Sequence, residues 1–182
     1  MTDVDVAREI VSLSSGSDEY HEVKDFLLAE AEMLDALRER EWLETMVHPD
    51  VDYQLPIRET VERARGTGFH ENAFHLHENY GSLAMKVARN ETKFAWAEDP
   101  PSRVRHFVSN IRVHRFPDAL DELFVKSNVL LVRTRQDHTT PQILSGERQD
   151  TFVRHDGALR LLKRVVYLDL TVIGTHNLAI FF

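Results

Sequence analysis

At 182 residues the chain has the length of one domain, with room for a substantial core. Its net charge of −8, with no face dominated by Lys and Arg, argues against nucleic acid as a partner, and no apolar run approaches the roughly 18 residues of a membrane span. The absence of cysteine excludes a disulfide framework, a thiol nucleophile, a zinc ribbon and any iron–sulfur cluster held by thiolates of this chain.

The start, Met1-Thr2-Asp3-Val4-Asp5, is acidic and lacks the basic and apolar parts of a signal peptide, which points to the cytoplasm. Residues 1–16 read as an N-terminal arm. Ser17 stands as a helix N-cap, with Asp18 and Glu19 placing negative charge in the first turn, where the helix dipole favours it. From Tyr20 to Met46 the apolar residues Val23, Phe26, Leu27, Ala31, Met33, Leu34 and Leu37 recur at helical spacing, predicting one long amphipathic helix. Glu30 falls inside that apolar arc. A carboxylate there either pairs in the core or lines a cavity.

His48-Pro49-Asp50 closes the helix, Val51–Pro56 alternates like a short strand, and Gly66-Thr67-Gly68 marks an exposed loop. Leu76, Tyr80, Leu83, Ala84 and Val87 predict a second helix over Glu71–Asn90. At Asp99-Pro100-Pro101-Ser102 two prolines in a row remove backbone donors and end any helix before them. Four strands are expected after this joint, over Arg103–Arg115, Leu123–Arg135, Pro141–Arg154 and Ala158–Thr171, with a short fifth over Gly174–Phe182. His155-Asp156-Gly157 signals a tight hairpin, because Gly takes the positive φ such turns need. Apolar residues in both phases of Leu123–Val132 predict a central strand covered on both faces. Helices over 17–98 followed by an antiparallel sheet over 99–182 make a single α+β domain.

Several blocks carry a resemblance to a known family. They are Phe26-Leu27-Leu28-Ala29-Glu30-Ala31 with Leu34-Asp35, Trp42-Leu43, and Asp50-Val51-Asp52-Tyr53-Gln54-Leu55-Pro56-Ile57-Arg58. Further on come Trp96-Ala97-Glu98-Asp99-Pro100-Pro101-Ser102-Arg103, Arg105-His106, Val108-Ser109-Asn110 and Gly146-Glu147-Arg148, and finally Asn177 to Phe182. Together they make the chain similar to the small (β) subunit of the aromatic-ring-hydroxylating dioxygenases, Rieske non-haem iron enzymes of the biphenyl, toluene and naphthalene type. The departures fall in Pro56–Phe74 and Asp137–Leu144, both loop regions.

That resemblance implies a cystatin-like cone fold, with a long N-terminal helix and further helices packed on a curved antiparallel sheet. It implies an assembly of three catalytic α subunits on three β subunits. The α subunit would hold the Rieske [2Fe–2S] cluster and the mononuclear non-haem Fe(II), supplied with electrons by a ferredoxin and reductase. The β subunit would be non-catalytic, without cofactor or metal of its own. As residues at the subunit interface we expect Asp99, Pro100, Pro101, Ser102, Arg103, Arg105, Phe181 and Phe182. The arginines, with Arg112, can form paired bonds to carboxylates of a neighbour.

Chemistry within the chain has two candidates. His75 and His77 could share a metal only if their segment is extended, since on a helix they would point about 200° apart. Asp52, Tyr53, His106 and His114 could converge inside the cone as general acid and base, the alternative reading of a stand-alone dehydratase or isomerase.

Overall fold

A computed structural model describes residues 9–92, 100–175 and 177–182. Seven strands form one sheet in the order β1-β4-β5-β6-β7-β2-β3, and three helices cover one face. The helical layer is α1 (Asp18–Asp35), α2 (Glu39–Met46) and α3 (Tyr80–Asn90). The strands are β1 (Val11–Ser12), β2 (Val47–Arg58), β3 (Phe69–Glu78), β4 (Arg103–Phe116), β5 (Ala119–Thr134), β6 (Gln142–His155) and β7 (Ala158–Leu168).

Helix α1 starts where expected, with the Ser17 hydroxyl accepting from the Tyr20 amide at 3.3 Å. It buries Val23, Leu27, Glu30 and Leu34, one stripe at the 3–4 residue spacing of a helix face. The expected single helix is in fact two. Leu37 takes a left-handed φ of 58°, the Arg38 amide bonds the Met33 carbonyl at 2.9 Å and the Leu37 amide bonds Leu34 at 3.1 Å. This is a Schellman stop, with leucine where glycine is usual. It turns the chain so that α2 packs Trp42, Leu43 and Met46 inward and leaves Leu37 nearly half exposed.

The expected second helix also divides. Phe69–Glu78 is strand β3, and only from Tyr80 does the chain coil, capped by a reciprocal pair between Asn79 and Ser82. The arm contributes β1, which pairs with β4 through Val11 and Arg115. Among the described residues of Gly174–Phe182 the expected strand does not form, and Ala179–Phe182 are buried.

From β4 to β7 the sheet is the predicted antiparallel meander. The β6–β7 hairpin turns at Asp156 and Gly157, with φ of 50° and 77°, both positive as a two-residue primed turn requires. Gly146 is needed for another reason: a Cβ there would sit 2.5 Å from the Tyr167 carbonyl oxygen of β7. The sheet is mixed rather than wholly antiparallel, because β2 joins the far side of β7 in parallel, with Tyr53 opposite Arg164. β5 is central, yet it is buried on both faces only over Leu123–Val125. Beyond Lys126 it alternates, with Asn128 and Leu130 exposed.

Candidate functional site

The inner face of the sheet, beneath α1, holds charge where an apolar core would be expected. Inward positions of β6 and β7 carry Arg148, Asp150 and Arg164, and the buried stripe of α1 brings Glu30 onto them. Arg164 donates to both Glu30 oxygens at 2.8 Å and to both Asp150 oxygens at 2.8 Å. Arg148 reaches Glu30 and the Ser127 hydroxyl, each at 3.3 Å, and the Trp42 indole donates to Glu30 at 3.0 Å. Two carboxylates and two guanidiniums make a neutral set, the condition under which charges persist away from water.

Burial alone would push the Glu30 carboxyl up, but Arg164 and Arg148 overcome it and hold the group below the ordinary carboxylate range. Burial likewise opposes the charge on Arg164, yet Asp150 and Glu30 raise it well above its usual value. Tyr53, on β2 beside this cluster, is pushed up to about 12, mainly by burial. Its hydroxyl accepts from the Phe182 amide at 2.8 Å and donates to the Phe182 carbonyl at 3.1 Å.

The acid–base candidates do not converge. Asp52 bonds Gln54 and His77 at 2.7 and 3.2 Å, while His114 meets the Ser12 hydroxyl at the sheet's opposite edge. His106 is buried, with Nδ1 at 2.7 Å from Asp35 and Nε2 at 3.0 Å from the Phe181 carbonyl. Each ring nitrogen thus faces an acceptor of the chain itself. His75 and His77 do lie on a strand, but a register shift falls between them and the two rings line different grooves. Among the described residues no group of three or more His, Cys, Asp and Glu side chains is placed to hold a metal ion.

The expected interface residues separate into two groups. Phe181 and Phe182 are buried in the chain's own core, Phe181 against Trp42 and Lys86. Ser102 is buried too, accepting from Arg133 at 3.0 Å. Pro100, Pro101, Arg103 and Arg105 are exposed. Arg103 donates to the Gln136 carbonyl at 2.8 Å, and Arg105 pairs with Asp35 at 3.1 Å while keeping two-thirds of its side chain in solvent. Asp99, with Trp96 to Glu98, lies outside the described residues.

The outer face of the sheet, opposite α1, continues this exposed corner. Arg105 lies opposite Val132 and Phe107 opposite Leu130, while Val132 also faces Ile143. Phe107, Leu130 and Ile143 are 53%, 39% and 57% exposed, so three neighbouring strands present bare apolar side chains together. Isolated exposed apolar residues are ordinary, but a contiguous set marks a contact surface.

The family model described as ring hydroxylating beta subunit matches residues 29–175. A chain of naphthalene 1,2-dioxygenase with indole bound in the active site aligns with a TM-score of 0.79 at 27% identity, covering 91% of this chain and 88% of that one. The β subunit of benzoate 1,2-dioxygenase from Burkholderia mallei aligns at 0.64 and 19%, covering 81% and 88% respectively. A Novosphingobium aromaticivorans chain assigned as a scytalone dehydratase aligns at 0.62 and 18%, covering 87% and 89%. The last two share the fold.

Proposed function

Because the chain belongs to the ring-hydroxylating β-subunit family, we propose that it is the assembly subunit of a terminal oxygenase that cis-dihydroxylates aromatic hydrocarbons with O2 and NAD(P)H-derived electrons. The catalytic α subunit is its partner, in an α3β3 hexamer working in the cytoplasm, with a ferredoxin and reductase feeding the complex. The 182 residues act as one domain within it.

One observation carries this reading: the charged groups inside the cone pair with other parts of the same chain. Glu30, Asp150, Arg148 and Arg164 together balance to zero, although Arg148 Nη2 is buried without a partner, and His106 is held between Asp35 and the Phe181 carbonyl. The cofactor chemistry agrees. A Rieske centre requires two thiolates and two imidazoles, and this sequence has no cysteine. The residues present do not fit the cluster, and no described group of three or more His, Asp and Glu is placed to hold a metal ion, so on this reading both the cluster and the mononuclear Fe(II) are assigned to the α subunit. The exposed corner of Pro100, Pro101, Arg103 and Arg105, continued by Phe107 and Ile143, is the surface offered to that α subunit.

Co-expression with the catalytic subunit encoded in the same host tests the proposal. The expected result is one complex with equal amounts of the two subunits, iron in the catalytic subunit, and ring hydroxylation that the isolated chain lacks. A chain that elutes alone beside its intended partner and turns over a compound unaided would overturn it.

A further inference from the structure

The segment Asn177–Phe182 is held in an unusual way. Among the described residues no backbone–backbone hydrogen bond ties it to the rest of the chain. Its carbonyls are instead taken up in succession by side chains from five separate elements. Arg133 of β5 donates to Asn177 at 3.1 Å, Asn90 of α3 to Ala179 at 3.2 Å, and Lys86 of α3 to Ile180 at 2.9 Å. His106 of β4 meets the Phe181 carbonyl at 3.0 Å, and Arg164 of β7 and Tyr53 of β2 meet that of Phe182 at 2.6 and 3.1 Å. The two rings fill separate apolar seats, Phe181 among Trp42, Leu43, Met46 and Leu83, and Phe182 among Leu55, Leu131, Leu144 and Val166.

A cleft can hold a peptide this way, with side-chain donors on the backbone carbonyls and separate apolar seats for two neighbouring rings. The connection to β7 suits detachment. Leu170 and Val172 are exposed, Val172 to 80%, and the seven residues 170–176 can span on the order of 23–25 Å when extended. The family match ends at residue 175, so the segment lies beyond it.

We propose that Asn177–Phe182 docks in the mouth of the cone as a ligand docks in a cleft, and that the seat accepts the same six residues supplied in trans by a second copy of the chain. The body of the cone is the receptor and the segment is an exchangeable strap, joined by a hinge of the kind that permits swapping between copies. The strap opens without unfolding the sheet.

Two measurements on the full chain test this. In native-state hydrogen exchange, the Phe182 amide, bonded to Tyr53, should exchange at least tenfold faster than the ladder amides of Val129 and Leu131 in β5, with a rate unaffected by low denaturant. Equal rates that rise together with denaturant would show the segment to be an inseparable part of the core and overturn the proposal. Separately, a labelled peptide Asn-Leu-Ala-Ile-Phe-Phe stands in for the second copy and is titrated into the full-length Phe182→Ala variant, whose own strap is weakened. Binding should be at least tenfold tighter than to the unaltered chain and absent for a scrambled peptide. Equal binding of matched and scrambled peptides to a variant that still melts cooperatively would sink the idea. Should the variant not fold, the exchange measurement on the unaltered chain decides alone.

Discussion

Each face of the sheet carries something that its setting would not suggest: charge set among apolar clusters on the inside, bare apolar side chains on the outside. Beneath the helices, Glu30, Asp150, Arg148 and Arg164 bring four charges into a fully buried setting. On the opposite face Phe107, Leu130 and Ile143 lie open to solvent. Charge inside is tolerable only because each group is matched by another, which makes the interior specific in shape and chemically closed. Apolar surface outside gains free energy only when something covers it. The comparison fits the proposed division of labour, a closed interior that holds the shape and an outer face offered to the catalytic subunit.

The sharpest way to break the interior is to unbalance it. Glu30→Ala leaves two guanidiniums facing one carboxylate, and removing one partner of a buried ion pair costs about 3–5 kcal/mol. Urea denaturation should show a loss of that order, and a loss under 1 kcal/mol would mean that the cluster is wetter than its geometry implies. In the unaltered chain the folded Glu30 has a lowered pKa. Its contribution is therefore present above the unfolded value near 4.5 and lost as the pH falls through the folded one.

Lys86 tests the same interior from the alkaline side. Burial lowers its pKa from 10.5 to about 8, so between these values the unfolded chain binds more protons than the folded one. Stability should rise by about 2 kcal/mol from pH 8 to pH 10, offset in part near the top of that range because Tyr53, kept protonated in the fold, ionises in the unfolded chain around pH 10. Lys86→Met should flatten that rise in denaturation curves recorded across the range. A slope unchanged by the substitution would assign it to other groups.

The smallest effect on stability is expected on the outer face. Phe107→Ser together with Ile143→Ser should change stability by no more than about 0.5 kcal/mol per site, as exposed positions do. The same pair should reduce the yield of complex with the catalytic subunit on size exclusion. Complex formation at full strength would locate the contact elsewhere.

Much of the scaffold was legible in the sequence because it follows local rules. Ser17 capped its helix, Asp156-Gly157 made its hairpin, and the run of strand segments after the two prolines gave the meander. The failures have physical causes. The break at Leu37 was hidden because a leucine occupies the left-handed position that glycine usually announces. In β3, Leu76 and the α3 residues Tyr80, Leu83 and Val87 happen to keep helical spacing across the strand–helix boundary at Asn79. The parallel pairing of β2 with β7 depends on which sheet edge is free, a global property that no local pattern carries.

The interior cluster was half visible. Glu30 stood out as a charge in an apolar arc, but Asp150 and Arg164 did not. The register shift between Thr151 and Phe152 puts an extra residue into β7 between Leu161 and Lys163, which breaks the two-residue period and so sets Arg164 on the same face as Leu159 and Leu161. Phe181 and Phe182 were legible as residues that need burial, though not as residues their own chain buries.

The parallel seam has a consequence for how the molecule is made. Val47 and Leu161 are partners although more than a hundred positions separate them in the chain. Closing so long a loop is entropically slow compared with zipping the hairpins of β4 to β7. Until β2 arrives, β7 is an unsatisfied edge, able to recruit the wrong strand from a neighbouring nascent chain. Yield on heterologous production should accordingly depend on temperature and chaperone supply during synthesis, with the vulnerable interval ending when that last strand is seated.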